Sequence, residues 1–414
     1  MAMKTRTHLL EELQTEILAR LPLRTIFRFK SVCKTWKSTI ESAYFRRLFL
    51  SLHQNSSSAS SWSLLYGSDE LIGFHGCKTW DLPKSPASLI PPCSPRDLIF
   101  GDCSYVDFSG GLVLLIEGSY TAYGYVGNPV LQQWVKIPPT PPFDPMNYST
   151  KFGNLVTRLD EDGVVLSFKV VRLVLYPTTN DYLVNMLVYS SETGVWTSKV
   201  IQSPHLFDNV NNINLNGMFY FSSLTVPGVL VAHDFYSESD QFRVVQLPDY
   251  PEINKHYKRT LTISGGFVMY VRTLAKKEET VLKIWRLKSD DDTWQLLWEV
   301  GFPVNGNYVP MAMNPFDVAT VYLWSQLDHH LVSCNLRKRN YTILGDASND
   351  GYQDCFIDHS ACKKSVDEIW DTASSSGLDE DLDFSVCIWL FPFVIPRWMA
   401  PVPRPPQAEI MDTA

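Results

Sequence analysis

Paired cysteines, catalytic signatures and long apolar runs are all missing from this 414-residue chain, and each absence closes a class of function. The eight cysteines, at 33, 77, 93, 103, 334, 355, 362 and 387, include no CxxC pair and no framework spacing. They read as free thiols of a reducing compartment, so cytoplasm or nucleus is expected. Residues Met1 to Gln14 lack the unbroken apolar stretch of a secretory signal. The run Phe384 to Met399 is too short for a span of about 20 residues and holds Pro392 and Pro396. It reads as a buried terminal strand, and no membrane partner is expected.

Chemistry is equally scarce. GxSxG, HExxH, P-loop and GxGxxG signatures are absent. Asp160–Gly163 and Ser289–Asp292 lack the spaced ligands and distal Glu of a calcium loop and fall where hairpin turns are expected, so they read as solvated turns. His329 and His330 open a predicted strand and so point to opposite faces. Cys355, His359 and Cys362 have no second ligand pair. No catalytic residue, metal site or cofactor is therefore expected.

Positive charge is concentrated at one end. Residues 1–50 carry ten Lys/Arg against four Glu, a net +6, which leaves −14 on the remainder. An acidic protein surface satisfies such a head as well as a nucleic acid would. The acidic body lacks a basic groove interleaved with aromatics, so no nucleic acid is expected as partner.

The densest positive signal is Leu9 to Trp36. Leu10, Leu13, Ile17 and Leu21 recur at helical spacing and predict an amphipathic helix over Leu10–Arg20, stopped by Pro22. A second apolar series, Ile26, Phe29, Val32 or Cys33, Trp36 and Ile40, predicts another helix at once. Two short helices cannot bury both of their faces alone. With Leu9-x-x-x-Leu13-x-x-Glu16-Ile17-Leu18-x-Arg20-Leu21-Pro22 and Ile26-x-Arg28-Phe29-x-Ser31-Val32-Cys33-Lys34-x-Trp36, residues 5–50 resemble the F-box, with Phe45 fitting the apolar residue that follows its last helix. Leu10 stands where that family usually has proline. The resemblance implies docking on the Skp-family adaptor of a cullin–RING ubiquitin ligase. The residues it would present are Leu9, Leu13, Ile17, Leu18, Leu21, Pro22, Val32, Cys33 and Trp36.

Residues 53–61 are serine-rich and read as a linker. From Trp62 the pattern turns alternating, β-branched and aromatic. Five units end in a strand, a polar turn and a pivotal aromatic: Trp134, Trp196, Phe242, Trp294 and Tyr341, spaced 62, 46, 52 and 47 residues apart. Units of three or four short strands must stack to bury both faces, and a period near 50 suits propeller blades, with two packed sandwiches as the alternative. Trp62–Pro92 would make a degenerate first blade and 352–399 would complete the last, closing the ring from both ends. Asn128-Pro129-x-x-x-x-Trp134, Tyr189-Ser190-Ser191-x-Thr193-Gly194-x-Trp196, Asn216-Gly217-x-x-Tyr220 and Pro392-Phe393-x-x-Pro396-Arg397-Trp398 resemble the F-box-associated, kelch-related body of plant F-box proteins. Only two double glycines, Gly110-Gly111 and Gly265-Gly266, match the strict kelch hallmark.

The expected fold is therefore a small all-α F-box (5–50), a linker (53–61), a large all-β body (62–400), a divergent six- or seven-bladed β-propeller, and a proline-rich tail (401–414). The pivotal aromatics are expected to anchor blade against blade. The resemblance implies a non-catalytic substrate-recognition subunit of a Skp–cullin–F-box ligase, its body capturing an unidentified target protein through end loops such as Pro138–Lys151 and Gly345–Asp383. The alternatives are a scaffold acting outside ubiquitination and a ligand-binding or enzymatic propeller.

Overall fold

Pro22 and Cys33 punctuate the head into short helices. The computed structural model describes residues 11–53, 62–66, 70–75, 103–117, 124–128, 131, 133–141, 153–177, 182–251, 257–276, 279–288, 291–302, 308–343, 355–357, 391–394, 398–407 and 410–412. Helix α1 (11–18) ends in a turn at Ala19–Arg20. α2 (Leu23–Phe29) begins directly after Pro22, whose φ of −59° suits a helix entry. The second apolar series, expected as one helix, is split. Cys33 is extended (φ −157°, ψ 161°), and its Sγ accepts the Trp36 amide at 3.4 Å. It thereby caps α3 (Lys34–Ile40) instead of prolonging α2. A further helix, α4 (Ala43–His53), carries Phe45 and Phe49 on one face.

Six sheets form among the described residues, connected as propeller blades. Blades 3 to 6 are four-stranded meanders in chain order. Blade 3 comprises Asn154–Leu159, Val165–Pro177, Tyr182–Ser190 and Trp196–Ser203. Blade 4 comprises Phe207–Leu215, Met218–Ser223, Val229–Asp234 and Arg243–Gln246. Blade 5 comprises Lys258–Ser264, Phe267–Ala275, Thr280–Leu287 and Trp294–Phe302. Blade 6 comprises Tyr308–Met313, Thr320–Ser325, His330–Asn335 and Asn340–Ile343.

The other two blades draw on distant parts of the chain. In blade 1, Trp62–Tyr66 and Glu70–His75 pair with each other, Phe391–Val394 pairs with the first and Cys355–Ile357 with the second. Closure from both ends is thus as expected, and the apolar run near the C-terminus supplies a strand. Blade 2 is Cys103–Ser109, Leu112–Glu117, Gly124–Asn128 and Gln133–Ile137. Ile410–Asp412, within the stretch expected as a tail, adds a fifth strand to it.

Burial falls from first strand to last. Tyr308–Met313 is buried throughout, whereas Asn340–Ile343 is exposed throughout. First strands of neighbouring blades are stitched by polar groups. Ser109 Oγ and Thr157 Oγ1 lie 2.7 Å apart, Asn214 Nδ2 donates to the Leu155 carbonyl at 2.5 Å, and the Leu155 amide donates to Asp107 at 2.6 Å. Each seam from blade 2 to blade 6 has its own apolar cluster, for example Val171, Leu173 and Met186 of blade 3 against Phe207, Phe219 and Val231 of blade 4. Stacking completes what no single sheet could bury.

The pivotal aromatics divide. The indole N–H of Trp196 donates to the Pro138 carbonyl at 2.9 Å, and that of Trp294 to the Gln246 carbonyl at 2.8 Å. Each clamps its blade to the outer strand of the one before. Phe242 packs on Phe207, 5.5 Å between centroids, within the seam of blades 3 and 4. Tyr341 is 55% exposed on an outer strand and makes no ring contact or side-chain hydrogen bond among the described residues, which corrects the expectation for the fifth unit. Trp134 is buried, but against the helical head. The double glycines are hairpin turns: Gly110-Gly111 and Gly265-Gly266 have φ of +56°/+78° and +59°/+79°, and Asn216-Gly217 repeats this in blade 4. Two successive positive φ values match the twist of a two-residue hairpin.

Two expected outcomes follow from this packing. Gly127 lies opposite Trp134, and a Cβ there would sit 2.2 Å from the indole. Gly127→Ala should therefore cost about 3 kcal/mol by overpacking, read by urea denaturation. His233 is buried between Phe235 and Phe242, and burial lowers its pKa despite the Gln241 carbonyl beside it. The unfolded chain then binds a proton more readily, so stability is full above the ordinary histidine range and falls as pH drops through it. His233→Leu should flatten the melting temperature between neutral and mildly acidic pH; an unchanged slope would remove His233 as its source.

Candidate interaction site on the helical head

Successive residues on a helix are about 100° apart, so Ile17 and Leu18 cannot face the same way. Leu13 and Ile17, four apart, share the outer face of α1 at 56% and 62% exposure. Leu18 is 3% exposed and points inward with Ala19, Leu23, Ile26 and Ile40. Of the residues expected to meet the adaptor, Leu18 thus supports the outer face from behind. Val32, 59% exposed, and Cys33, also exposed, sit in the turn between α2 and α3. Leu21, Pro22 and Trp36 are half-buried, and Leu9 lies outside the described residues. Trp36 packs against Phe29 in a tilted contact, 5.2 Å between centroids, and its indole N–H donates to Gln14 Oε1 at 3.4 Å, tying α3 to α1. The head thus keeps an apolar stripe in solvent while its own polar groups hold the helices together.

The opposite face of the head is spent on the body. Phe45 and Phe49 of α4 meet the Trp398 ring at 6.1 and 5.4 Å, in one core with Val113, Leu115, Tyr125 and Trp134 of blade 2. Arg46, between the two phenylalanines, reaches the turn joining the first two strands of blade 3. Its Nη2 lies 2.7 Å from Asp162 and 3.6 Å from Asp160. Asp160 shapes that turn, its Oδ1 accepting the amides of Asp162 and Val164 at 2.9 and 2.8 Å. The hairpin reading of Asp160–Gly163 holds, but these carboxylates grip the head instead of merely meeting solvent.

Sequence reasoning missed Arg46, Asp160, Asp162 and Trp398. The one signal available was the basic head set against an acidic body. Burying three aromatic side chains contributes roughly 1.5–3 kcal/mol each. A partly exposed ion pair adds on the order of 1 kcal/mol or less. Apolar contact therefore sets the strength of docking, and the ion pair its register.

Antiparallel meanders place the first-to-second and third-to-fourth turns at one end of the propeller and the connectors between blades at the other. The head sits at the turn end, on Asp160–Val164 and Leu131. The connector from Pro138 leaves from the far end; residues 142–151 of that candidate target loop, and all of Gly345–Asp383 except Cys355–Ile357, lie outside the described residues. Among the described residues, no three His, Cys, Asp or Glu side chains converge as metal ligands would.

A helical module with a free apolar stripe, locked to one end of a propeller, defines a two-part interaction protein. Family comparison matches residues 7–48 to the F-box domain and residues 60–404 to the β-propeller of F-box protein At3g26010-like chains. The chain is 51% identical to the F-box protein At3g26010 of Arabidopsis thaliana, over 100% of this chain and 95% of that one. It is 47% identical to the putative F-box/kelch-repeat protein At4g22430 of the same plant, over 99% and 96%. The chain belongs to this plant family of F-box proteins with a C-terminal β-propeller.

If Trp398 is the principal wedge, Trp398→Ala should cost roughly 3–5 kcal/mol of docking and packing. Trypsin should then cut first at Arg46 and Arg47 in limited proteolysis, whereas Arg46→Ala should leave Arg47 largely protected. Equal protection of Trp398→Ala and wild type would show that the wedge is dispensable.

Proposed function

We propose that this protein is the substrate-recognition subunit of a Skp–cullin–F-box ubiquitin ligase. The head docks the Skp-family adaptor through Leu13, Ile17 and Val32, flanked by Leu21, Pro22, Cys33 and Trp36, and the propeller holds a target protein. The observation that carries this reading is the exposure of Leu13, Ile17 and Val32 on a head whose inner apolar residues, Leu18, Leu23, Ile26, Ile40, Phe45 and Phe49, are buried. Exposed apolar residues at helical spacing are the anchors of helix-in-groove recognition. The receptor's contribution to ubiquitin transfer is proximity: it raises the effective concentration of target lysines near the charged conjugating enzyme and supplies no reacting group. The far end of the propeller, where the connectors between blades lie, offers the surface for the target.

Purified adaptor provides the test. Leu13→Asp with Ile17→Asp should abolish pulldown, a loss of at least about a hundredfold in affinity, since each buries an anchor worth roughly 2 kcal/mol. The melting temperature should stay within about 2 °C of wild type, because both positions are exposed before binding. Leu18→Asp should instead lower the melting temperature markedly. Retained binding by the double variant, or none by wild type, would exclude the adaptor role.

A further inference from the structure

Head and body do not meet flush. Along their junction runs an open trough of about 780 Å³, walled by α2 and α3 on one side and by blade 2 with residues 398–401 on the other. Phe27, Leu131 and Trp398 give it apolar surface, and Lys30, Lys37 and Arg46 give it cations. Leu13, Ile17 and Val32 do not line it, so it is a surface separate from the adaptor stripe.

Its cations are under-used. Lys37 is exposed and makes no ion pair among the described residues. Lys30 lies over the Phe27 ring, 5.7 Å from its centroid, and its one ion pair among the described residues is a long one, 3.7 Å to Glu41, the one acidic side chain in the lining. Arg46 spends Nη2 on Asp160 and Asp162.

We propose that this trough is a docking site for an acidic peptide segment of a partner protein, carrying at least one large apolar side chain. Carboxylates of the segment meet Lys30 and Lys37, and the apolar side chain lies on Phe27, Leu131 and Trp398. An open trough admits an extended chain. Because one wall belongs to the head and the other to the body, the segment binds only the docked arrangement and tightens it by linkage. This goes beyond adaptor binding and does not depend on it.

The test uses the full chain alone, so that a failure of adaptor binding leaves the result unaffected. An array of peptides of equal apolar content, graded from strongly acidic to strongly basic, is probed with wild type and with Lys30→Glu/Lys37→Glu. Arg28→Glu/Lys34→Glu, on α2 and α3 but outside the trough, serves as the control of equal charge change. The acidic members should bind wild type and the control, lose at least about tenfold in affinity with the double variant, and slow tryptic cleavage at Arg46–Arg47. Equal binding across the charge series, no binding at all, or equal loss in the control would overturn the proposal. So would peptide binding that rises when Asp379, Glu380, Asp381 and Asp383 are neutralised, since the chain's own acidic run would then be the occupant.

Discussion

Contact between Trp398 and the two phenylalanines of α4 is the constraint on which the rest of the molecule depends. A head of four short helices has too little interior to close on its own. Its core is finished by residues more than sixty positions away along the chain, and at the far end by Trp398 and Met399. The helices are therefore oriented by the body. Which apolar residues remain in solvent is decided by the same contact, because Phe45, Phe49, Leu18 and Ile26 are used up in making it. Leu13, Ile17 and Val32 are among those left in solvent.

The charge distribution has a partly internal explanation. A net +6 head and a −14 body suggest an acidic partner, and the first such partner is the protein itself, since Arg46 is held by Asp160 and Asp162. That pair cannot account for the strength of docking, but it selects one rotational setting of an otherwise greasy contact. Lys30 and Lys37 lie beyond its reach, which is why the junction stays cationic along one edge.

Periodicity in the sequence reports that a face is buried, not what buries it. That distinction separates the features legible in the sequence from those that were not. Stacked blades, closure from both ends and the clamps of Trp196 and Trp294 were all readable, because repeated strands have only one kind of neighbour available. The break between α2 and α3 was not readable: Val32 and Cys33 fit a helical spacing, and only the capping bond from Trp36 to Cys33 reveals a stop. Leu18 belongs to an outward-facing family motif but points inward, since its neighbour Ile17 takes the outer face. Tyr341 occupies the repeat position of Trp294 but holds no carbonyl among the described residues. The grip of Arg46 on the blade 3 turn joins residues more than a hundred positions apart, and no local pattern marks such a pair.

Blade 1 takes strands from both ends of the body, and blade 2 takes its fifth from Ile410–Asp412. A ribosome makes a chain in one direction only. While residues 391–412 are still unsynthesised, the ring is open, blade 2 has a bare edge and the hydrophobic back of α4 has no indole to cover it. The order of synthesis thus makes the head's final orientation a property of the finished chain, and a chain arrested before Phe391 would carry the F-box motif without the rigid geometry that gives it a direction.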